Sequence, residues 1–172
     1  MNDSNKIEMG DHSSPGSPRK ILVVDDEQPL QVLASSIIKK LGHKAVTVGS
    51  GEEAIEVYNE HFEKGEPFGA VVMDLALPGG MSGIEATIAI KQTDAAARVI
   101  VSSGYLEQNA RGAALEHGFA GILPKPYTSD RLSSELRWVL KQGNQAENQQ
   151  PEQAETESAT ENSPVAPTEE AL

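Results

Sequence analysis

Side chains capable of acid, base and anion chemistry recur in this chain at one kind of place, directly after a short apolar run. Asp25, Asp26 and Glu27 follow Ile21-Leu22-Val23-Val24, and Asp74 follows Ala70-Val71-Val72-Met73. Ser102, Ser103 and Gly104 follow Val99-Ile100-Val101, and Lys125 stands between Pro124 and Pro126 after Gly121-Ile122-Leu123. Brought together, these residues form a set of carboxylates, hydroxyls and one ammonium. Clustered carboxylates repel one another unless a hard cation sits among them. Asp74 is followed by Leu75, so it is expected to be partly buried, and an uncompensated buried carboxylate is costly.

The apolar runs, with Ala45-Val46-Thr47-Val48 as a further one, are continuous rather than alternating. Continuous β-branched runs are the mark of parallel strands covered on both faces. Between them the period changes to that of helices. Leu30, Leu33, Ile37 and Leu41 share one face before Gly42, and Ala54, Tyr58 and Phe62 share another after Gly51. Ile84 and Ile88 follow Gly83 in another helical pattern. Ala110, Ala114 and Leu115 precede Gly118, and Leu132, Leu136 and Leu140 form the last stripe, with Thr128 or Ser129 as its N-cap. Five strands alternating with five helices predict a doubly wound α/β domain of about 125 residues. In such a sheet the ligand site lies at the carboxyl ends of the strands, where the strand order reverses. The chemically capable residues all occur there.

In order and spacing, Val23-Val24-Asp25-Asp26-Glu27, Asp74 with Pro78, Ser103-Gly104 and Lys125-Pro126 resemble the receiver domains of response regulators, from about Arg19 to Leu140. The loop Pro78-Gly79-Gly80-Met81-Ser82-Gly83 is similar to that of receivers attached to hybrid sensor kinases. The resemblance implies a flavodoxin-like sheet of order 2-1-3-4-5. It also implies an aspartyl phosphate on Asp74, formed with Mg²⁺ or Mn²⁺ from a histidine kinase or histidine phosphotransfer domain. Such a receiver catalyses only its own phosphorylation and dephosphorylation. The implied metal ligands are Asp26, Asp74, Asp25 mainly through water, and the backbone carbonyl of Ala76. Lys125 and Ser103 would contact phosphoryl oxygens, Gly104 would leave room for the group, and Pro126 matches a cis X-Pro position. One position departs from the family pattern. Ile122 stands where many receivers carry the aromatic that turns inward on activation. Ala76 and Tyr105 fall at the positions flanking the path of hydrolytic water.

Each residue alone has a plainer explanation. Asp25 and Asp26 serve equally as caps of the first helix, Ser102 and Ser103 as loop hydroxyls, and Lys125 as a solvated lysine. The four matched strand ends together favour the receiver. A phosphatase of the haloacid dehalogenase type needs a second acid where Ala76 stands, and a dinucleotide-binding domain needs a Gly-rich turn where Asp25-Asp26-Glu27-Gln28-Pro29 stands. A pseudo-receiver usually lacks one of the acids or the lysine, and all are present here. His12, His43, His61 and His117 show no metal-ligand spacing, and Tyr58 and Trp138 read as packing residues.

Composition bounds the rest. The 172 residues allow one ordinary domain with flanks. The absence of cysteine excludes disulfides and thiolate sites and fits a reducing cytosol, the expected location. There is no signal peptide and no apolar stretch long enough to span a membrane. The net charge of -12 argues against direct nucleic-acid binding. That charge is unevenly placed. Residues 18–142 carry 13 Lys and Arg against 16 Asp and Glu, whereas residues 143–172 carry seven Glu and no cation. Segments 1–18 and 143–172 lack the apolar residues to offset chain entropy and are expected to be disordered, flanking a receiver domain at 19–142. The expected recipient of the signal is a downstream protein.

Overall fold

The apolar runs form strands and the periodic segments form helices. The strands are β1 (Lys20–Val24), β2 (Lys44–Val48), β3 (Ala70–Asp74), β4 (Val99–Ser103) and β5 (Gly121–Pro124). The helices are α1 (Gln28–Lys40), α2 (Gly51–Glu63), α3 (Gly83–Thr93) and α4 (Ser129–Glu147). The computed structural model describes residues 18–104 and 118–147, with side chains through residue 142. The expected helix through Ala110, Ala114 and Leu115 lies outside the described residues, as do Tyr105 and segments 1–17 and 148–172. The backbone of α4 runs past residue 142, where the sequence reading ends the domain.

The five strands are parallel and lie in the order β2-β1-β3-β4-β5. Helices cover both faces, which is why the strand residues are apolar without alternation. Ile21, Val23, Val72, Ile100 and Leu123 pack on one face with Ala34, Ile37 and Ile38 of α1 and with Leu132, Leu136 and Val139 of α4. Leu22, Val24, Val71, Met73 and Val99 pack on the other with Ala54 and Tyr58 of α2 and with Ala86 and Ile90 of α3. Truncating a fully buried member such as Leu136 to alanine costs about 2–5 kcal/mol. The chain leaves β1 toward β2 on one side and returns to β3 on the other. The strand order therefore reverses between the ends of β1 and β3.

Two apolar stripes reach out of the core. Ile84 and Ile88 of α3 are 49% and 54% exposed rather than buried. The face of α3 that packs carries Gly83, Ala86, Thr87 and Ile90. Small residues there let the helix approach the sheet closely, so spacing identified a shared face but not the side that packs. Phe62 of α2 likewise lies at the rim, 38% exposed. Tyr58 is buried as expected, its hydroxyl donating to Asp94 Oδ2 at 2.7 Å, while Trp138, read as a packing residue, is 37% exposed.

The helix starts follow local chemistry. Ser50 caps α2 by accepting from the Glu53 N–H at 3.2 Å. Ser82 and Glu85 form a capping box at α3, in which each side chain accepts from the other's backbone N–H. Thr128 Oγ1 accepts from the Arg131 N–H at 3.3 Å, as expected for the N-cap of α4. Glu27, at the N-cap of α1, makes no side-chain cap.

Candidate functional site

The switch point gathers the strand-end residues. Asp25, Asp26 and Asp74 each offer a carboxylate oxygen, and the three atoms lie within 4.8 Å of one another. Asp25 and Asp74 are each only 3% exposed, while Asp26 is exposed. Lys125 reaches in from the end of β5. Its Nζ donates to Asp74 Oδ2 at 2.6 Å, lies 2.9 Å from Asp25 Oδ2, and lies 3.6 Å from Glu27 Oε1. The Lys125-Pro126 peptide bond is cis, at the position the sequence singles out.

Backbone groups hold the two buried acids. Asp25 Oδ1 accepts from the Glu27 N–H, and Asp74 Oδ1 accepts from the Ala76 N–H, both at 2.9 Å. Asp25 and Asp26 thus stand before α1 without capping it through their side chains. Burial raises the Asp25 carboxyl above its ordinary value, and the charge of Asp74 adds to this. Hydrogen bonds from Lys125 and from the Glu27 N–H only partly oppose the shift. Burial works against the Lys125 ammonium, but its hydrogen bonds to Asp74 and Asp25 outweigh that and hold it above the usual lysine range. Removing one partner from such a buried pair leaves the other uncompensated, which makes this lysine different in kind from a surface lysine.

The remaining predicted residues sit on β4 and beside it. Ser102 pairs with Asp74 in register and Ser103 with Pro124. The Lys125 N–H donates to the Ser103 carbonyl at 2.9 Å. Ser103 is nearly buried. Ser102 is buried, and its hydroxyl has no hydrogen-bond partner among the described residues. Gly104 is exposed, and a Cβ added there would meet nothing within 4 Å, so the space beside it is open. Ala76 is exposed on the loop after β3. Ile122 is buried in a small cluster with Val101, Leu75 and Phe119, and its N–H donates to Glu135 Oε1 at 2.9 Å.

Several residues that shape the site escaped the sequence reading. Gln31 is buried on α1, and its side-chain N–H donates to the Asp25 carbonyl at 2.6 Å and to the Val48 carbonyl at 3.3 Å. Its helical spacing from Ala34 and Ile38 was its only signal. Glu52 Oε1 accepts from the Met81 N–H at 2.9 Å and ties the loop after β3 to α2. Gly83 lies so close to the end of β3 that a Cβ would come 2.0 Å from the Asp74 carbonyl oxygen. The Ser82-Gly83-Ile84-Glu85 pattern marks a capping box and was legible. The close approach of Gly83 was not. Tyr127 is buried beside the cluster. Burial, with the charges of Asp25, Asp74 and Glu27, pushes its phenol up to about 12.

The donor set fits a small, hard divalent cation: three carboxylates at ligand separation, one of them exposed to water. The ammonium beside them fits an anion.

Comparisons with known proteins agree with this geometry. The family model of the response regulator receiver domain matches residues 21–137. Chemotaxis protein CheY of Bacillus subtilis is 34% identical over 122 residues, which is 70% of this chain and 97% of that protein. Sporulation initiation phosphotransferase F of Bacillus subtilis is 27% identical over 121 residues, 70% of this chain and 93% of that protein. Among solved structures, the signal receiver domain of a putative Luxo repressor protein from Vibrio parahaemolyticus matches with a TM-score of 0.65 at 25% identity. It covers 77% of this chain and 97% of its own.

Proposed function

We propose that Asp74 takes the phosphoryl group in this chain, which belongs to the response regulator receiver domain family and is a phosphoacceptor of two-component signalling. The observation that carries the assignment is the position of Asp74. It is the buried carboxylate at the end of β3 that pairs with Lys125 and shares a cluster with Asp25 and Asp26. The donor is the phosphohistidine of a histidine kinase or of a histidine phosphotransfer domain. An Asp74 oxygen forms the new bond to phosphorus as the bond from phosphorus to the donor imidazole breaks.

In this reading Asp26 and Asp74 hold Mg²⁺ directly, Asp25 holds it mainly through water, and the Ala76 carbonyl completes the protein ligands. Bound there, the cation offsets charge on the phosphoryl oxygens during transfer. Lys125 then exchanges its contact with Asp74 for one with the phosphoryl group, and Ser103 donates to another of its oxygens. Gly104 borders the open entry. The receiver spans residues 19–142, flanked by the segments 1–18 and 143–172. Downstream, the switch acts on a partner protein through the surface around β4 and β5. Among the described residues no helix is long and apolar enough to cross a membrane.

The test is incubation with acetyl phosphate and Mg²⁺, read by intact mass. The native chain is expected to gain one phosphoryl group in a base-labile adduct, and Asp74→Asn none. Full labelling of Asp74→Asn would overturn the assignment.

A further inference from the structure

The amino ends of the strands form a second charged region, opposite in sign to the site and unused by it. Helices in this fold run against the strands they follow, so their last turns collect at that end. Those turns carry Lys39 and Lys40 on α1, His61 on α2 and Lys91 on α3. Arg19 and Lys20 stand at the start of β1, Lys44 opens β2, and Arg98 precedes β4. Acids are fewer there, Glu63 at the end of α2 among them, and most are engaged. Glu66 pairs with Lys20, Glu60 with Lys64, and Asp94 accepts from the Tyr58 hydroxyl. A cleft of about 340 Å³ opens in this surface, lined by Arg19, Lys20, Lys44, Glu66, Pro67 and Gly69.

Helix α4 delivers the chain to this cleft. A Cβ placed on Gly69 would lie 3.2 Å from Leu140 Cδ2 and 2.8 Å from Arg19 Cδ, so Leu140 is level with the cleft wall. The helix continues to Glu147. Residues 148–172 follow Glu147 in the sequence. They contain six Glu and no Lys or Arg. Twenty-five residues reach up to about 80 Å when extended, so length does not restrict where they go.

We propose that this acidic segment folds back onto the basic end of its own sheet, lying along the Arg19–Lys20–Lys44 cleft. Single exposed ion pairs are weak and screened by salt. Tethering compensates, because a segment attached beside its site acts at an effective concentration of about millimolar. The opposite end of the sheet repels the segment, since Asp25, Asp26, Glu27, Glu52, Glu53 and Glu85 gather there. The docked segment covers the surface that would otherwise attract other polyanions.

The chain has no cysteine, so Ser163→Cys accepts a single nitroxide. In the full-length chain at low salt, amide signals of Lys20, Lys44 and Gly69 are expected to lose more than half their intensity relative to the reduced label. Those of Asp26, Ala76 and Gly104 keep theirs. The loss should vanish in about 1 M salt, where the screening length is about 3 Å. It should also vanish when the six tail glutamates become glutamine, and shrink in Lys44→Glu, whose side chain is exposed and outside the core. Equal loss at both ends of the sheet, no loss at either, or loss insensitive to salt would overturn the proposal. So would attenuation in isotope-labelled chain mixed with nitroxide-bearing chain, because the occupant would then be a second copy.

Discussion

The two ends of one five-stranded sheet hold charge in opposite ways. At the carboxyl ends, Asp25 and Asp74 are buried and close on Lys125 at 2.9 and 2.6 Å, where water screens little. At the amino ends, Lys44 is exposed and Lys20 meets Glu66 at the surface. The same strand-and-helix polarity produces both. Helix N-termini bring acids such as Glu52, Glu53 and Glu85 to one end, and helix C-termini bring lysines to the other. Burial makes the difference between them. A charge in the open contributes little to stability or chemistry, whereas a buried charge must be matched, and its partner becomes indispensable.

Two lysines give the sharpest contrast. Lys125→Met is expected to slow phosphorylation by acetyl phosphate about 10- to 100-fold, the loss of one charge-assisted hydrogen bond worth about 1.5–3 kcal/mol. Lys44→Met should leave that rate within about twofold, since surface substitutions are usually worth about 0.5 kcal/mol or less. Initial labelling rates measure both, and similar losses would remove the distinction between the ends.

Divalent cation probes the same contrast through stability. Mg²⁺ at a hundredfold excess over its dissociation constant should stabilise the native chain by about 2.7 kcal/mol. The gain should disappear in the Asp26→Asn, Asp74→Asn double variant and persist in Lys44→Glu. Thermal melts with and without millimolar Mg²⁺ decide this, and a gain retained by the double variant would place the cation elsewhere.

Two glycines sharpen the comparison within the carboxyl end itself. Gly83→Ala drives a methyl group to 2.0 Å from the Asp74 carbonyl and should cost about 1–3 kcal/mol by overpacking. Gly104→Ala meets open space and should change stability by less than about 0.5 kcal/mol. Urea midpoints separate the two.

The smallest effect belongs to Tyr127, whose phenol is raised to about 12 in the fold. A raised folded value means that its contribution is fully present below the unfolded value of about 10 and fades as pH climbs toward 12. Native protein should therefore lose stability more steeply than Tyr127→Phe over that alkaline window, and parallel curves would show that burial does not raise the phenol.

Much of this was legible from the chain alone. Continuous apolar runs fixed five parallel strands, because a strand covered on both faces has no polar side to show. Their carboxyl ends then pointed to Asp25, Asp26, Asp74, Ser103 and Lys125, which the fold brings to one switch point. Helix faces were less certain. Ile84 and Ile88 are a turn apart and share a face, yet spacing does not say whether that face packs, and the small residues of α3 decided it. The contacts that hold the site in place were not legible at all. Gln31 grips the Asp25 carbonyl, Glu52 anchors the Met81 loop, and Gly83 presses on the end of β3 across gaps in sequence that no period encodes. Periodicity reports how each segment meets its surroundings on average. Which atoms meet across the sheet, and at what distance, follows only once the strands are in register and the helices are seated.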